Sequence, residues 1–223
     1  MRRHPAEELL DHDAGTSTEI DDSLADLRRI NHWLGGIATT RSLVERVATR
    51  TESKDLSLLE VAAGSGDLPQ TVRRQVADRN LRLDVTLLDR AVSHLRNGNR
   101  TGRVAADAFA LPFPDNSFDL VSSCLFAHHL APHQFARFIG EALRVSRHAV
   151  LINDLIRHPL HLALVYAGTP LYRSRLTRHD APASVRQAYT VREMENLLKP
   201  VCSARFEIHR FFLFRMGVIA WKY

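Results

Sequence analysis

The stretch Leu58-Leu59-Glu60-Val61-Ala62-Ala63-Gly64-Ser65-Gly66-Asp67 constrains this chain more than any other. A run of β-forming apolar residues enters a tight glycine turn, and a helical pattern over Thr71 to Ala77 follows. Glycine adopts positive φ without a Cβ clash and lets a ligand approach the main chain closely. At the carboxyl end of a parallel strand, such a turn is where doubly wound folds hold nucleotide-like ligands. The rest of the chain agrees with a parallel sheet. Further apolar runs at Leu83 to Leu88, Val104 to Ala106, Phe118 to Ser122 and Ala149 to Ile152 alternate with helical patterns such as Gln134 to Val145. That alternation implies an α/β domain with helices on both faces of the sheet. The 223 residues suit one such domain. Two β-rich runs, Arg205 to Phe211 and Met216 to Trp221, close the chain as a hairpin at the sheet edge.

The domain expected over residues 21–223 has two additions to its sheet. Residues 1–20 read as a flexible tail, rich in charge and small polar side chains. Asp21 and Asp22 can cap a helix through Leu24, Leu27, Ile30 and Leu34, which Gly35-Gly36 ends, and a second helix carries Leu43, Val44 and Val47 on one face. These form an N-terminal helical cap over residues 21–50. A second departure from strand–helix alternation covers residues 155–190, where short helices at His158 to Ala167 and Ala183 to Tyr189 are placed to form a lid. Thr190 with Glu193 has capping-box spacing and starts a helix expected to reach Leu198, before Pro200.

Acidic residues at strand ends sharpen the ligand. Asp89 ends the second apolar run, 23 positions beyond Gly66, where a carboxylate accepts both ribose hydroxyls of an adenosine. Asp107 ends the third, where a carboxylate accepts from the adenine amine. A dinucleotide would need a third glycine and a phosphate-tolerant turn. Here Pro69 stands at the third glycine's position, and Asp67 sets negative charge where a pyrophosphate would lie. S-adenosylmethionine carries no phosphate and has a cationic end, so the turn favours it.

The series resembles the class I S-adenosylmethionine-dependent methyltransferases, within them the ubiquinone/menaquinone-biosynthesis type. Glu60 to Gly66 is similar to the family's first motif, Thr86-Leu87-Leu88-Asp89-Arg90 to its second, and Ala106 to Val121, with Leu111-Pro112-Phe113-Pro114-Asp115-Asn116-Ser117-Phe118-Asp119 inside it, to its third and fourth. Asn31-His32-Trp33-Leu34-Gly35-Gly36, followed by Arg41, is similar to the segment that closes over the cofactor. The resemblance implies a Rossmann-like, seven-stranded, mostly parallel sheet of order 3-2-1-4-5-7-6. It also implies cofactor contacts at Asn31, Arg41, Glu60, Ala62, Gly64, Gly66, Asp89, Arg90, Asp107, Ala108, Phe109 and Ser123. Ala62 replaces the motif's usual first glycine, and its methyl group is expected to fit if φ is negative there. The His128-His129-Leu130 turn and Ile152-Asn153-Asp154-Leu155 resemble small methyltransferases of polyketide pathways that act on phenolic or pyrone products.

On the acceptor side, a phenol with pKa near 10 benefits from a general base. His129, His128 and Asp154 follow the fourth and fifth strands at the rim where an acceptor meets the methyl group, and they are the candidate catalytic residues. His158, His161, Tyr166 and Tyr172 in the lid segment suit a small, fairly apolar acceptor. Trp33 is a candidate to cover the sulfonium by cation–π attraction. O-methylation is favoured over C-methylation. The competing readings are a cofactor-binding protein that no longer methylates, such as a partner subunit or cyclase, and an RNA or protein methyltransferase.

The net charge of +5 is spread over scattered arginines without aromatic interleaving, so nucleic acid is not the expected partner, and a homodimer is compatible with the sequence. Cys124 and Cys202 make neither a disulfide framework nor a metal cluster, and no metal site is expected. Cys124 lacks the proline–cysteine loop of a covalent route, and no Asn/Asp-Pro-Pro-aromatic run of amino-methylating enzymes is present. No signal-peptide pattern or membrane-length apolar run occurs, so a cytoplasmic location is expected.

Overall fold

A computed structural model of the chain describes residues 1–12, 14–96, 102–202 and 205–222; Tyr223, the end of the expected domain, lies outside them. The strands are β1 (Asp55–Val61), β2 (Arg82–Asp89), β3 (Arg103–Ala105), β4 (Phe118–Cys124), β5 (Ser146–Leu155), β6 (Phe206–Phe211) and β7 (Arg215–Trp221). They form one sheet of order β3-β2-β1-β4-β5-β7-β6, as expected, with only β7 antiparallel to its neighbours. The helices are α1 (Ser17–Trp33), α2 (Gly36–Arg50), α3 (Asp67–Ala77), α4 (Pro132–Val145), α5 (Pro159–Gly168), α6 (Arg175–Gln187) and α7 (Val191–Cys202). None is long and apolar enough to cross a membrane among the described residues.

Strand side chains alternate between faces, so the apolar runs split into two cores. Leu59, Val61, Val121 and Ile152 meet Phe135, Phe138 and Ile139 of α4 and Met194 and Leu198 of α7. Leu56, Leu58, Leu120 and Leu151 meet Leu43 and Val47 of α2 and Val72 and Val76 of α3. Each fully buried aliphatic side chain contributes about 1.5–3 kcal/mol, which makes these two layers the main source of stability.

Several boundaries differ from the sequence reading. α1 begins at Ser17, four residues earlier than Asp21, because Thr16 and Glu19 form a reciprocal capping box. α6 starts at Arg175, capped by Ser174, well before Ala183. α7 has the expected Thr190–Glu193 capping box but runs through Pro200 to Cys202. A proline in the last turn costs only that turn's bonding. The lid segment supplies α5 and α6, and Asp26 of α1 ties it down by accepting from the Arg173 and Ser174 amides.

The largest correction concerns the tail. The segment before α1 is docked along α6 and the turn after β4. Arg3 donates to the carbonyls of Gln187, His128 and Leu130, and its guanidinium lies over the Tyr189 ring. Asp180 accepts from the amides of Leu9 and Leu10, fixing a short 3-10 turn at Leu10–His12. Glu8 is buried. Composition suggested mobility, but the polar residues of this segment find long-range partners that local pattern reading does not reveal.

Candidate active site

The glycine turn leads from β1 into α3 as the sequence implies. Gly64 and Gly66 have φ of 53° and 74°, and Gly66 caps α3. A Cβ on Gly66 would come within 2.3 Å of Leu87, so glycine is required there, whereas at Gly64 nothing lies within 4 Å. That open space faces a cavity of about 960 Å³. Ala62 also adopts positive φ, 55°, so the negative φ under which its methyl group would fit without strain is not met. The methyl group is held in the left-handed region, a strain of about 1–2 kcal/mol, and Ala62 still lines the cavity.

Carboxylates from three strand ends line the same cavity. Asp89 accepts from the Gly64 amide at 2.7 Å and the Ala91 amide at 2.9 Å. Asp107 accepts from the Phe109 amide at 2.9 Å. Glu60 is fully buried, and its Oε2 makes no hydrogen bond among the described residues. Burial pushes its pKa up to about 7. Sequence reading missed Arg215 opposite these acids. It is 1% exposed, lines the cavity, and donates to Asn31 Oδ1 at 2.8 Å and Asn153 Oδ1 at 3.2 Å, with no ion pair among the described residues. A carboxylate with one unbonded oxygen and a buried cation with no countercharge among the described residues suit the ammonium and carboxylate of an amino-acid end. The only sequence signal for Arg215 was a charge inside an apolar strand.

The expected cofactor residues Asn31, Glu60, Ala62, Gly64, Asp89, Arg90, Asp107, Ala108 and Phe109 all line the cavity. Gly66 stands behind it as the cap of α3. Arg41 does not line it. Its side chain donates to Gln75 at 3.0 Å and lies 3.7 Å from Glu45 on the outer side of α2. Ser123 is fully buried within β4, so it is a strand residue and not a lining one. Asp67 is paired with Arg28 at 3.4 Å and accepts from Ser65, which clamps α1 to the glycine turn. Trp33 lines the cavity mouth but is 72% exposed, its ring edge-on to His32.

At the far end, His128 and His129 occupy a 3-10 turn after β4 and line the cavity. Asp154 lies within β5 behind His128, not on the cavity surface. Its Oδ1 is 2.6 Å from His128 Nδ1, and its Oδ2 accepts from the His128 amide. Glu8 of the docked segment lies on the other side, 3.5 Å from His128 Nε2. Burial alone would lower the His128 pKa, but Asp154 and Glu8 outweigh it and push it up to about 10. His129 is less buried, with Nδ1 2.9 Å from Asp11. The apolar walls here come from Leu24, Leu27 and Ile30 of α1, Leu164 of α5, Tyr172 and Val185. His161 of the lid segment is buried, lines the cavity and stacks on Phe214. Burial pushes the Cys124 thiol up to about 12, which removes it as a nucleophile.

Residues 59–152 match the family model described as a methyltransferase domain. No curated protein matches. Among solved structures, the plantazolicin methyltransferase BamL, in complex with a triazolic desmethylPZN analog and SAH, has a TM-score of 0.69 at 12% identity over 92% of this chain and 91% of that one. A protein of Anabaena variabilis ATCC 29413, named as a methyltransferase of an antibiotic biosynthesis pathway, gives 0.53 at 18% identity over 75% of this chain. The match covers 64% of that protein, less than two thirds of its length. The CMeT domain of the citrinin polyketide synthase gives 0.59 at 12% identity over 82% of this chain and 51% of that one. These likenesses share the fold, and the family match over residues 59–152 covers the glycine turn and the acidic strand ends.

Proposed function

We propose that this chain methylates an oxygen of a small, fairly apolar acceptor of aromatic, phenolic or polyketide-like character. One observation carries the reading: a single cavity joins Glu60, Asp89 and Asp107 at one end to His128 and His129 at the other. S-adenosylmethionine supplies a methyl group on a positively charged sulfur, which is activated without help from the protein. The protein's task is closeness and orientation. Asp89 is suited to the ribose hydroxyls and Asp107 to the adenine amine. Glu60 and Arg215 suit the amino-acid end.

At the other end, the acceptor's hydroxyl meets the histidine wall, and the leucines of α1 and α5 with Tyr172 cover its apolar body. His128 is a cation at neutral pH, held so by Asp154 and Glu8, and orients the acceptor. His129, fixed by Asp11, draws the proton off. The natural-product names of BamL and the citrinin synthase domain support an acceptor of this class.

Two measurements test the reading. Calorimetry with S-adenosylhomocysteine should give saturable binding that Asp89→Ala weakens. Labelled S-adenosylmethionine should deliver methyl to phenols in a panel that also holds activated carbon acids and RNA. Cofactor binding without transfer to any acceptor, in the panel or in a cell extract, sinks the enzyme half and leaves a binding protein. Labelling confined to carbon acids or RNA sinks the O-methylation half.

A further inference from the structure

The two histidines share a geometry that proton transfer alone does not require. Each turns Nδ1 to a carboxylate, His128 to Asp154 at 2.6 Å and His129 to Asp11 at 2.9 Å. A carboxylate at Nδ1 accepts the ring N–H there, which leaves Nε2 to face the other way. Both Nε2 atoms then meet the same carboxylate. His128 Nε2 is 3.5 Å from Glu8 Oε1, and His129 Nε2 is 3.8 Å from Glu8 Oε2. His128 is 2% exposed, and its Nε2 makes no hydrogen bond among the described residues. Glu8 is itself oriented, since Oε1 accepts from Ser184 Oγ at 2.6 Å and Gln187 Nε2 at 2.7 Å.

Two imidazoles and a carboxylate, each held from behind by another polar group, make the arrangement of a metal centre with its outer partners in place. One ligand atom from each of the three lies within 4.8 Å of the others. A tetrahedral ion with bonds of 2.0–2.1 Å keeps its ligands about 3.3 Å apart, so side-chain closure of at most about 1.5 Å completes the site. We propose that Glu8, His128 and His129 bind a divalent transition-metal ion in the wall of the acceptor cavity. The sequence reading expected no metal because it looked for cysteine spacing and treated Glu8 as part of a loose tail.

Two imidazoles select a zinc-, cobalt- or nickel-like ion over magnesium or calcium, which prefer all-oxygen sets. All three ligands line the cavity, so an open coordination position faces the acceptor. This inference rests on the acceptor wall assigned above and changes what that wall does. Binding of the ion displaces the Nε2 proton of His128 to water, the Nε2 lone pairs of both histidines are used on the metal, and the ion lowers the acceptor's pKa. An acceptor hydroxyl at the open position releases its proton to bulk water. Its oxygen then supplies the electron pair for the new C–O bond, while the pair of the breaking C–S bond stays on sulfur.

The test uses the full chain, stripped with chelator and titrated with Zn²⁺ alone by calorimetry. One equivalent should bind, and Glu8→Gln and His129→Gln should each weaken it at least 10-fold with unchanged circular dichroism. Co²⁺ added to the unsubstituted chain gives a readout that needs no variant: strong visible absorption of a four-coordinate ion is expected. Absence of stoichiometric zinc binding, zinc affinity in both variants equal to that of the unsubstituted chain, or only the weak spectrum of a six-coordinate cobalt ion overturns the proposal. Binding of S-adenosylhomocysteine, measured in parallel, reports on the cofactor end separately. If it persists while zinc binding fails, the metal site falls and the methyltransferase stands.

Discussion

The two ends of the cavity handle buried charge in opposite ways. At the cofactor end Glu60 has an unbonded oxygen, and Arg215 is buried with only neutral partners among the described residues, the Asn31 and Asn153 oxygens and the Cys124 sulfur. At the acceptor end each ionisable group faces another: Asp154 with His128, Glu8 between the two histidines, Asp11 with His129. The proposed cofactor end therefore suits a zwitterionic ligand that brings its own countercharges. The acceptor end is neutralised from within, and its last members arrive on a segment remote in sequence, Glu8 bonding to Ser184 across 176 positions.

Breaking the self-contained end should cost the most. Asp154→Ala removes a carboxylate that meets His128 through ring and amide and also accepts from the Leu155 amide. Removing one member of a buried ion pair costs about 3–5 kcal/mol, to be read from urea denaturation at pH 6. A loss below about 1 kcal/mol would sink the idea of a tightly coupled network. The His128 folded pKa is raised, from 6.5 to about 10, so its contribution is fully present below pH 6.5 and fades as pH rises through about 10. The gap between the unsubstituted protein and Asp154→Ala should narrow over that range.

The cofactor end should respond to pH with the same sign but in a lower range. Glu60 has a raised folded pKa too, but it is an acid. Between pH 4.5 and about 7 the folded protein binds more protons than the unfolded chain, so stability falls as pH rises, by about 3 kcal/mol in all. Glu60→Gln should flatten that slope, measured by urea titrations at pH 5 and pH 8, and should weaken S-adenosylhomocysteine binding. An unchanged slope would mean that the Glu60 carboxylate is neutralised by another group.

A smaller effect is expected at Asp89, whose partners in the structure are the amides of Gly64 and Ala91. Hydrogen bonds to a charged group are worth about 1.5–3 kcal/mol. Asp89→Ala should therefore lower S-adenosylhomocysteine affinity by about 10- to 150-fold in calorimetry. Retained affinity would remove Asp89 from the ribose site.

The same comparison explains what the sequence disclosed. Glu60, Gly64, Asp89 and Asp107 were legible because each stands at the end of a strand whose apolar run fixes its position, and parallel strands bring those ends together. The sheet order followed from the resemblance, and the two cores from the period of the apolar residues. Asp154, His128 and His129 were legible as residues but not as a network. Their partners Glu8 and Asp11 lie in a stretch with no periodic pattern, and only tertiary contacts bury it. Arg41 was carried over by resemblance from a helix whose facing side could not be read locally. Arg215 was hidden because a charged residue within β7 has no strand-period signature.

The smallest predicted effect lies where both ends of the cavity use the same device. β1 and β4 each leave the sheet through a left-handed residue that is not glycine, Ala62 at φ 55° and Leu125 at φ 56°. For Ala62 the strain of about 1–2 kcal/mol is only partly offset by the 0.5–1 kcal/mol of chain entropy that glycine would lose on folding. Ala62→Gly should thus stabilise the protein by about 0.5–1 kcal/mol. Leu125→Gly removes similar strain but also a side chain that lines the cavity and whose amide is already used on the Asn153 carbonyl. Its relief is offset by lost contact, so it should come out neutral or destabilising. Chemical denaturation of both variants beside the unsubstituted chain separates the cases. If Ala62→Gly destabilises, the methyl group is making contacts that outweigh its strain, and the departure from the family's glycine is then a packing feature of this cavity and not a tolerated defect.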